Sequence, residues 1–146
     1  MQVETTRFGP LEFASGQLYE LTEGLLGFPL LKRFILIGNE ADGGPFRWLQ
    51  SLEEPALAFV VIDPDWLAPG YRSELPRAAL EAAGLDRPEE GTVLALVTIP
   101  ENPQEMTANL KGPLLFNSKT RQGLQLVLDE ERHSLRCPIL SALARR

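Results

Sequence analysis

The sequence predicts a mainly β fold, a compact barrel-like single domain of short strands with one crossover helix. Three observations carry that expectation. First, residues 92–128 hold the densest apolar segment, with a run over 93–99 whose valines, isoleucine and threonine favour extended structure. Pro100, Asn102 and Pro103 break that run, and short extended pieces follow over 106–111, 114–117 and 124–128, punctuated by Gly112-Pro113 and the polar segment 118–123. Second, turn signals recur throughout the chain between short apolar segments. Third, alternating strand–helix units are absent, which favours a closed or barrel-like sheet over an α/β fold. Eight to ten strands are expected.

Taken in order, Val3 and Thr5, then Leu11 and Phe13, alternate around Phe8-Gly9-Pro10 and read as a β-hairpin or bend. A short strand is expected over 17–21. The segment Glu23-Gly24-Leu25-Leu26-Gly27-Phe28-Pro29 reads as a compact loop, because its glycines permit positive φ and its hydrophobes follow no strand period. Strands are expected over 32–37, 46–52 and 57–62, with a turn-rich loop over 38–45 and a stop at Asp63-Pro64-Asp65. The one helix is expected over 74–83. Ser73 offers an N-cap, Glu74 suits the helix N-terminus, Pro76 is tolerated within the first turn, Leu75, Ala79, Leu80 and Ala83 form an apolar face, and Gly84 ends it. A last strand is expected over 134–139, with the tail after 140 frayed or helical. The domain is expected to span 1–146, its core about 1–140 and its tail 141–146.

At 146 residues the chain can bury about two-thirds of its unfolded surface, so it needs no disulfide or metal staple. Its single Cys137 fits a reducing compartment. No apolar run approaches the ~18 residues of a membrane span, and the N-terminus lacks a basic, then apolar, export signal. A cytoplasmic protein without a membrane partner is expected. Charge is uneven: residues 1–110 carry 7 basic and 17 acidic side chains, whereas residues 111–146 carry 7 and 3. An acidic surface repels phosphate backbones and suits either solubility or a basic protein partner.

The residues give no support for catalysis. His133 is the only histidine and reads as a solvated turn residue, and Cys137 beside Ile139 reads as a small core residue. One histidine and one cysteine cannot build a thiolate–imidazole metal site. Asp63 and Asp65 flank a proline as strand terminators do. No phosphate loop or nucleophile elbow occurs. Catalytic, cofactor and metal residues are all expected to be absent. An oligonucleotide-binding barrel is the alternative, because Phe46 and Trp48 alternate as stacking aromatics might, although only Arg47 lies beside them to track a backbone.

In order and spacing, several segments resemble the flagellar assembly factor FliW family over nearly the whole chain. They are Thr6-Arg7-Phe8-Gly9, Glu23-Gly24-Leu25-Leu26-Gly27-Phe28, Phe46-x-Trp48-Leu49-Gln50-Ser51-Leu52, Leu57-Ala58-Phe59-Val60-Val61 and Asp63-Pro64. Val97-Thr98-Ile99-Pro100, Thr107-Ala108-Asn109-Leu110, Pro113, Asn117 and Arg121-x-Gly123-x-Gln125 complete the set. Cys137-Pro138 departs from the His-Pro pair of many relatives, and residues 71–90 match loosely. The resemblance implies a barrel-like fold without catalysis. It also implies two competing partners, flagellin and the carbon storage regulator, a small RNA-binding protein that represses flagellin translation.

Candidate partner-binding residues are Leu25, Leu26 and Phe28, which equally could cap one barrel end. Trp48, Leu49 and Gln50 could line a groove, with core packing the other account of Trp48. Asn109, Asn117 and Arg121 lie in polar contexts, where Asn117 and Arg121 could instead satisfy turn backbones.

Overall fold

The computed structural model describes residues 1–38, 44–129 and 133–144. Part of the expected 38–45 loop and the last two residues of the tail therefore lie outside the described residues. Among those described, eleven strands form, more than the eight to ten expected. They are β1 (Gln2–Thr5), β2 (Gly9–Glu12), β3 (Leu18–Leu21), β4 (Arg33–Ile37), β5 (Phe46–Ser51) and β6 (Ala58–Ile62). β7 (Gly91–Thr98), β8 (Thr107–Ala108), β9 (Leu114–Asn117), β10 (Gln122–Gln125) and β11 (Cys137–Pro138) follow.

Seven of these strands close a barrel. The order runs β7-β6-β5-β4-β3-β10-β9, and β9 returns to β7. Every contact in the ring is antiparallel except β10 with β3, where Gln122 and Gly123 pair in parallel with Glu20 and Leu21. β8 and β11 extend β7 as a short ribbon. β1 and β2 form a separate hairpin.

Period-two alternation divides the side chains between two cores. Leu21, Phe34, Leu49, Val61, Leu94 and Phe116 fill the barrel interior. Their neighbours Ile62, Val93, Ala95 and Leu115 point outward into a second core. That core is covered by residues 67–85 and by the C-terminal segment, including Ile139 and Ala142. β7 is thus buried on both faces, which is why its sequence reads as a continuous apolar run rather than an alternating one.

Two helices cover this outer core, α1 (Arg77–Ala82) and α2 (Ile139–Ala144). The helix expected over 74–83 begins three residues later. A proline drives the residue before it out of the helical region, and Leu75 is extended with ψ 139°, leaving Pro76 at the N-cap. Ser73 does not cap the helix; its hydroxyl donates to the Gly70 carbonyl at 2.7 Å. Gly84 stops the helix as expected, with φ +74°. α2 realises the helical alternative for the tail and buries Ile139 and Ala142. The strand expected over 106–111 shrinks to two residues because Asn109 turns the chain, its carboxamide oxygen accepting the backbone N–H groups of Lys111 and Gly112. The terminal strand is likewise reduced to Cys137–Pro138.

The ion-pair cluster beside α1 explains Asp63-Pro64-Asp65. Asp63 caps a short 3₁₀ turn by accepting from the Asp65 N–H. The Arg72 guanidinium then reaches Asp63 at 2.9 Å, Asp65 at 2.8 Å and the Gly91 carbonyl at 3.0 Å. The cation these acids hold is a side chain of the same chain. His133 is not the solvated turn residue expected. It is half-buried, and its ring lies edge-on to Tyr71 at 5.4 Å. Burial first, then the Asp65 charge, pushes the Tyr71 phenol well above its ordinary pKa, so it stays a donor to the Leu110 carbonyl.

Trp48 lies outside both cores. It sits on the outer face of β5, half-buried, with Phe8 edge-on at 5.6 Å and the Arg7 guanidinium 4.6 Å above its ring. A fully buried indole would cost ~3–5 kcal/mol on truncation. Trp48→Ala is instead expected to cost about 2 kcal/mol, the sum of partial burial, one aromatic contact and one exposed cation–π contact. Urea unfolding checks this figure, and a loss above about 4 kcal/mol would show that the hairpin needs the indole in order to fold.

Candidate partner-binding surface

The β3–β4 loop carries the most exposed hydrophobes in one place. Its tip is a tight turn in which Leu25 and Phe28 exchange backbone hydrogen bonds, Leu25 N–H to Phe28 O at 3.3 Å and Phe28 N–H to Leu25 O at 2.8 Å. Gly27 supplies φ +87° inside the turn. Gly24 has φ +79°, and a Cβ there would fall 2.2 Å from the Pro29 carbonyl oxygen, so the base of the loop closes on itself only with glycine at this position.

The loop side chains divide by direction. Leu25 and Leu31 point inward and join the barrel core. Leu26 and Leu30 point outward, 59% and 82% exposed. Phe28 is 45% exposed, its ring edge-on to Phe59 at 6.1 Å, and Phe59 in turn meets Phe34 at 6.5 Å. Capping and display are thus performed by different residues of one loop. Isolated exposed hydrophobes need no explanation, but here three stand within five residues of one anchored loop.

The other expected residues are scattered. Gln50 is fully buried and its amide donates to the carbonyls of Ser51, Pro55 and Leu57, which fixes the β5–β6 turn and takes it off the surface. Asn117 ties α1 to the β9–β10 turn: its amide donates to Ala83 O and Gly84 O while its oxygen accepts from Lys119 and Thr120 N–H. Arg121 occupies the left-handed region at φ +60°, its N–H donating to Asn117 O at 2.7 Å. Both serve the turn. Asn109 also turns the chain, while lining a groove of about 530 Å³ with Leu96, Thr98, Thr107 and Leu135. Ile99 and Leu135 are exposed on the same ribbon segment. Leu30 was missed in the sequence; in a loop with no strand period, nothing separates it from its inward neighbour Leu31.

The aromatic platform of an oligonucleotide-binding barrel does not form. Phe46 packs on the outer core, and Phe8 and Arg7 occupy the Trp48 ring. Among the described residues no three His, Cys, Asp or Glu side chains are grouped to hold a metal ion, and no helix is long and apolar enough to cross a membrane.

A closed seven-stranded barrel with a wrapped outer face and an apolar display loop defines a class, the small barrel built around surface loops. The comparisons with known proteins narrow it. The family model described as FliW protein matches residues 2–139, and the chain belongs to that family. The flagellar assembly factor FliW of Bdellovibrio bacteriovorus is 40% identical over 146 residues, covering the whole chain and 83% of the relative. That of Geotalea uraniireducens is 41% identical over 138 residues, covering 94% and 83%. A crystal structure of the flagellar assembly factor FliW superposes with a TM-score of 0.81 at 27% identity, covering 95% of this chain and 96% of that one.

Proposed function

We propose that this protein is a non-enzymatic, cytoplasmic factor of flagellum assembly that works by partner switching. In this reading it binds flagellin and, alternatively, the carbon storage regulator. Accumulated flagellin occupies the factor and frees the regulator to repress flagellin translation; export of flagellin reverses the exchange. The observation that carries the reading is the loop display of Leu26, Phe28 and Leu30 on a chain that belongs to the FliW family. An amphipathic flagellin helix would lay its apolar face against these side chains, as amphipathic helices do when they dock in hydrophobic grooves. The formal charge of −6 suits a basic RNA-binding partner.

Calorimetric titration with the flagellin and the carbon storage regulator of the same organism, singly and in competition, tests the proposal. Binding to both with mutual displacement is expected; binding to neither would overturn it. Phe28→Ala is expected to weaken flagellin binding at least about tenfold. Its cost in stability is about 1 kcal/mol for one half-exposed aromatic contact, or ~2–4 °C in Tm. Equal loss of fold and binding would return Phe28 to a capping role.

A further inference from the structure

We infer that Gln125 is the positioning residue of the docking loop, holding its tip in the displayed turn through a single side-chain amide; this rests on the reading of that loop as the flagellin-binding surface. Within the turn, the Leu26 N–H has no partner on the loop itself. It donates to Gln125 Oε1 at 2.8 Å, across 99 residues of sequence. Among the described residues, Gln125 supplies the one side chain that hydrogen-bonds the loop backbone between Gly24 and Leu31 from outside it.

The orientation of that amide is dictated by chemistry. Its Nε2 donates to the Gly112 carbonyl at 2.9 Å, which only an N–H can do, so Oε1 faces Leu26. Gly112 is itself fixed, since its N–H donates to Asn109 Oδ1 at 2.9 Å. It is also bare where it must be, because a Cβ there would stand 3.2 Å from Gln125 Nε2 and 3.0 Å from Asn109 Nδ2. Leu25 and Leu31 set how deep the loop sits; Gln125 sets which way its tip points.

Leu26 N–H lies at the surface, so water replaces the lost acceptor in a variant at small cost to the fold. The turn then samples other conformers, and a partner must order it on binding. The test is Gln125→Leu, read by three measurements: amide hydrogen exchange at Leu26, Tm, and affinity for flagellin. The expected result is protection of Leu26 in the parent protein that is lost in the variant, a Tm lowered by no more than ~5 °C because the Gly112 carbonyl also loses its donor, and affinity reduced roughly tenfold. Gly112→Ala, which crowds the same amide from behind, is expected to move protection and affinity in the same direction and covers the case in which Gln125→Leu does not fold. Lost protection with unchanged affinity would overturn the inference while leaving flagellin binding intact. An unprotected Leu26 amide in the parent would overturn it as well. Failure of the parent protein to bind flagellin would overturn the docking reading, and the inference with it.

Discussion

Gly123→Ala is expected to cost about 4 kcal/mol or more. Gly123 sits where the barrel closes, paired with Leu21 on one side and Phe116 on the other. Backbone freedom is not the reason, because Gly123 is not among the positive-φ glycines. Space is the reason. A Cβ would fall 2.0 Å from the Leu115 carbonyl oxygen and 2.7 Å from the Phe116 Cα, both backbone atoms of the adjacent strand that cannot rotate away. Either β9 and β10 separate, or the parallel pairing with β3 is lost. For a domain of this size the Tm should fall by roughly 8–16 °C. Urea unfolding checks the figure, and a loss below about 1 kcal/mol would mean the closure is loose enough to accommodate a methyl group.

Phe34→Ala follows at about 4 kcal/mol, the usual cost of removing a fully buried phenylalanine and leaving its cavity. Phe34 is 0% exposed at the centre of the barrel interior. Its ring meets Phe59, which meets Phe28 on the display loop, so the same substitution also removes the support beneath the loop. The measurement is a urea midpoint that falls sharply at constant m-value, in contrast to the small change expected for Phe28→Ala. Similar losses for the two would contradict the division between anchoring and displayed residues.

The local elements were legible where turn chemistry brackets a short apolar run. β9 was expected over 114–117 and occupies Leu114–Asn117, because Gly112-Pro113 and the Asn117 turn bound it on both sides. Segment 124–128 was harder. Its second half does hydrogen-bond, Leu126 to Pro113 O and Leu128 to Lys111 O, but against an irregular loop rather than a strand, and β10 ends at Gln125. Alternation puts Phe46 and Trp48 on one side of a strand but does not say what covers either of them, nor where Gln50 goes. The outer core covers Phe46, the N-terminal hairpin covers Trp48, and Gln50 closes its own turn.

The candidate surface was legible as a stretch and illegible in detail. Two glycines and a proline announced a compact loop, and Gly24 against Pro29 is the physical content of that signal. Which hydrophobes face outward depends on the barrel beneath, and so Leu25 and Leu26, adjacent and identical in type, have opposite fates. Gln125 was visible only as part of a resemblance, because its partners are Leu26 and Gly112 and no local pattern connects the three.

The parallel contact between β10 and β3 also sets a schedule. β3 is bonded by residues made about a hundred positions later, the Thr22 hydroxyl reaching Gly123 across 101 residues. At ~5–20 residues per second of synthesis, the first strands wait roughly 5–20 s for the strand that completes the ring. The display loop waits as long for Gln125. A growing chain therefore presents neither a finished barrel nor a shaped loop before the strand that carries Gly123 and Gln125 has been made.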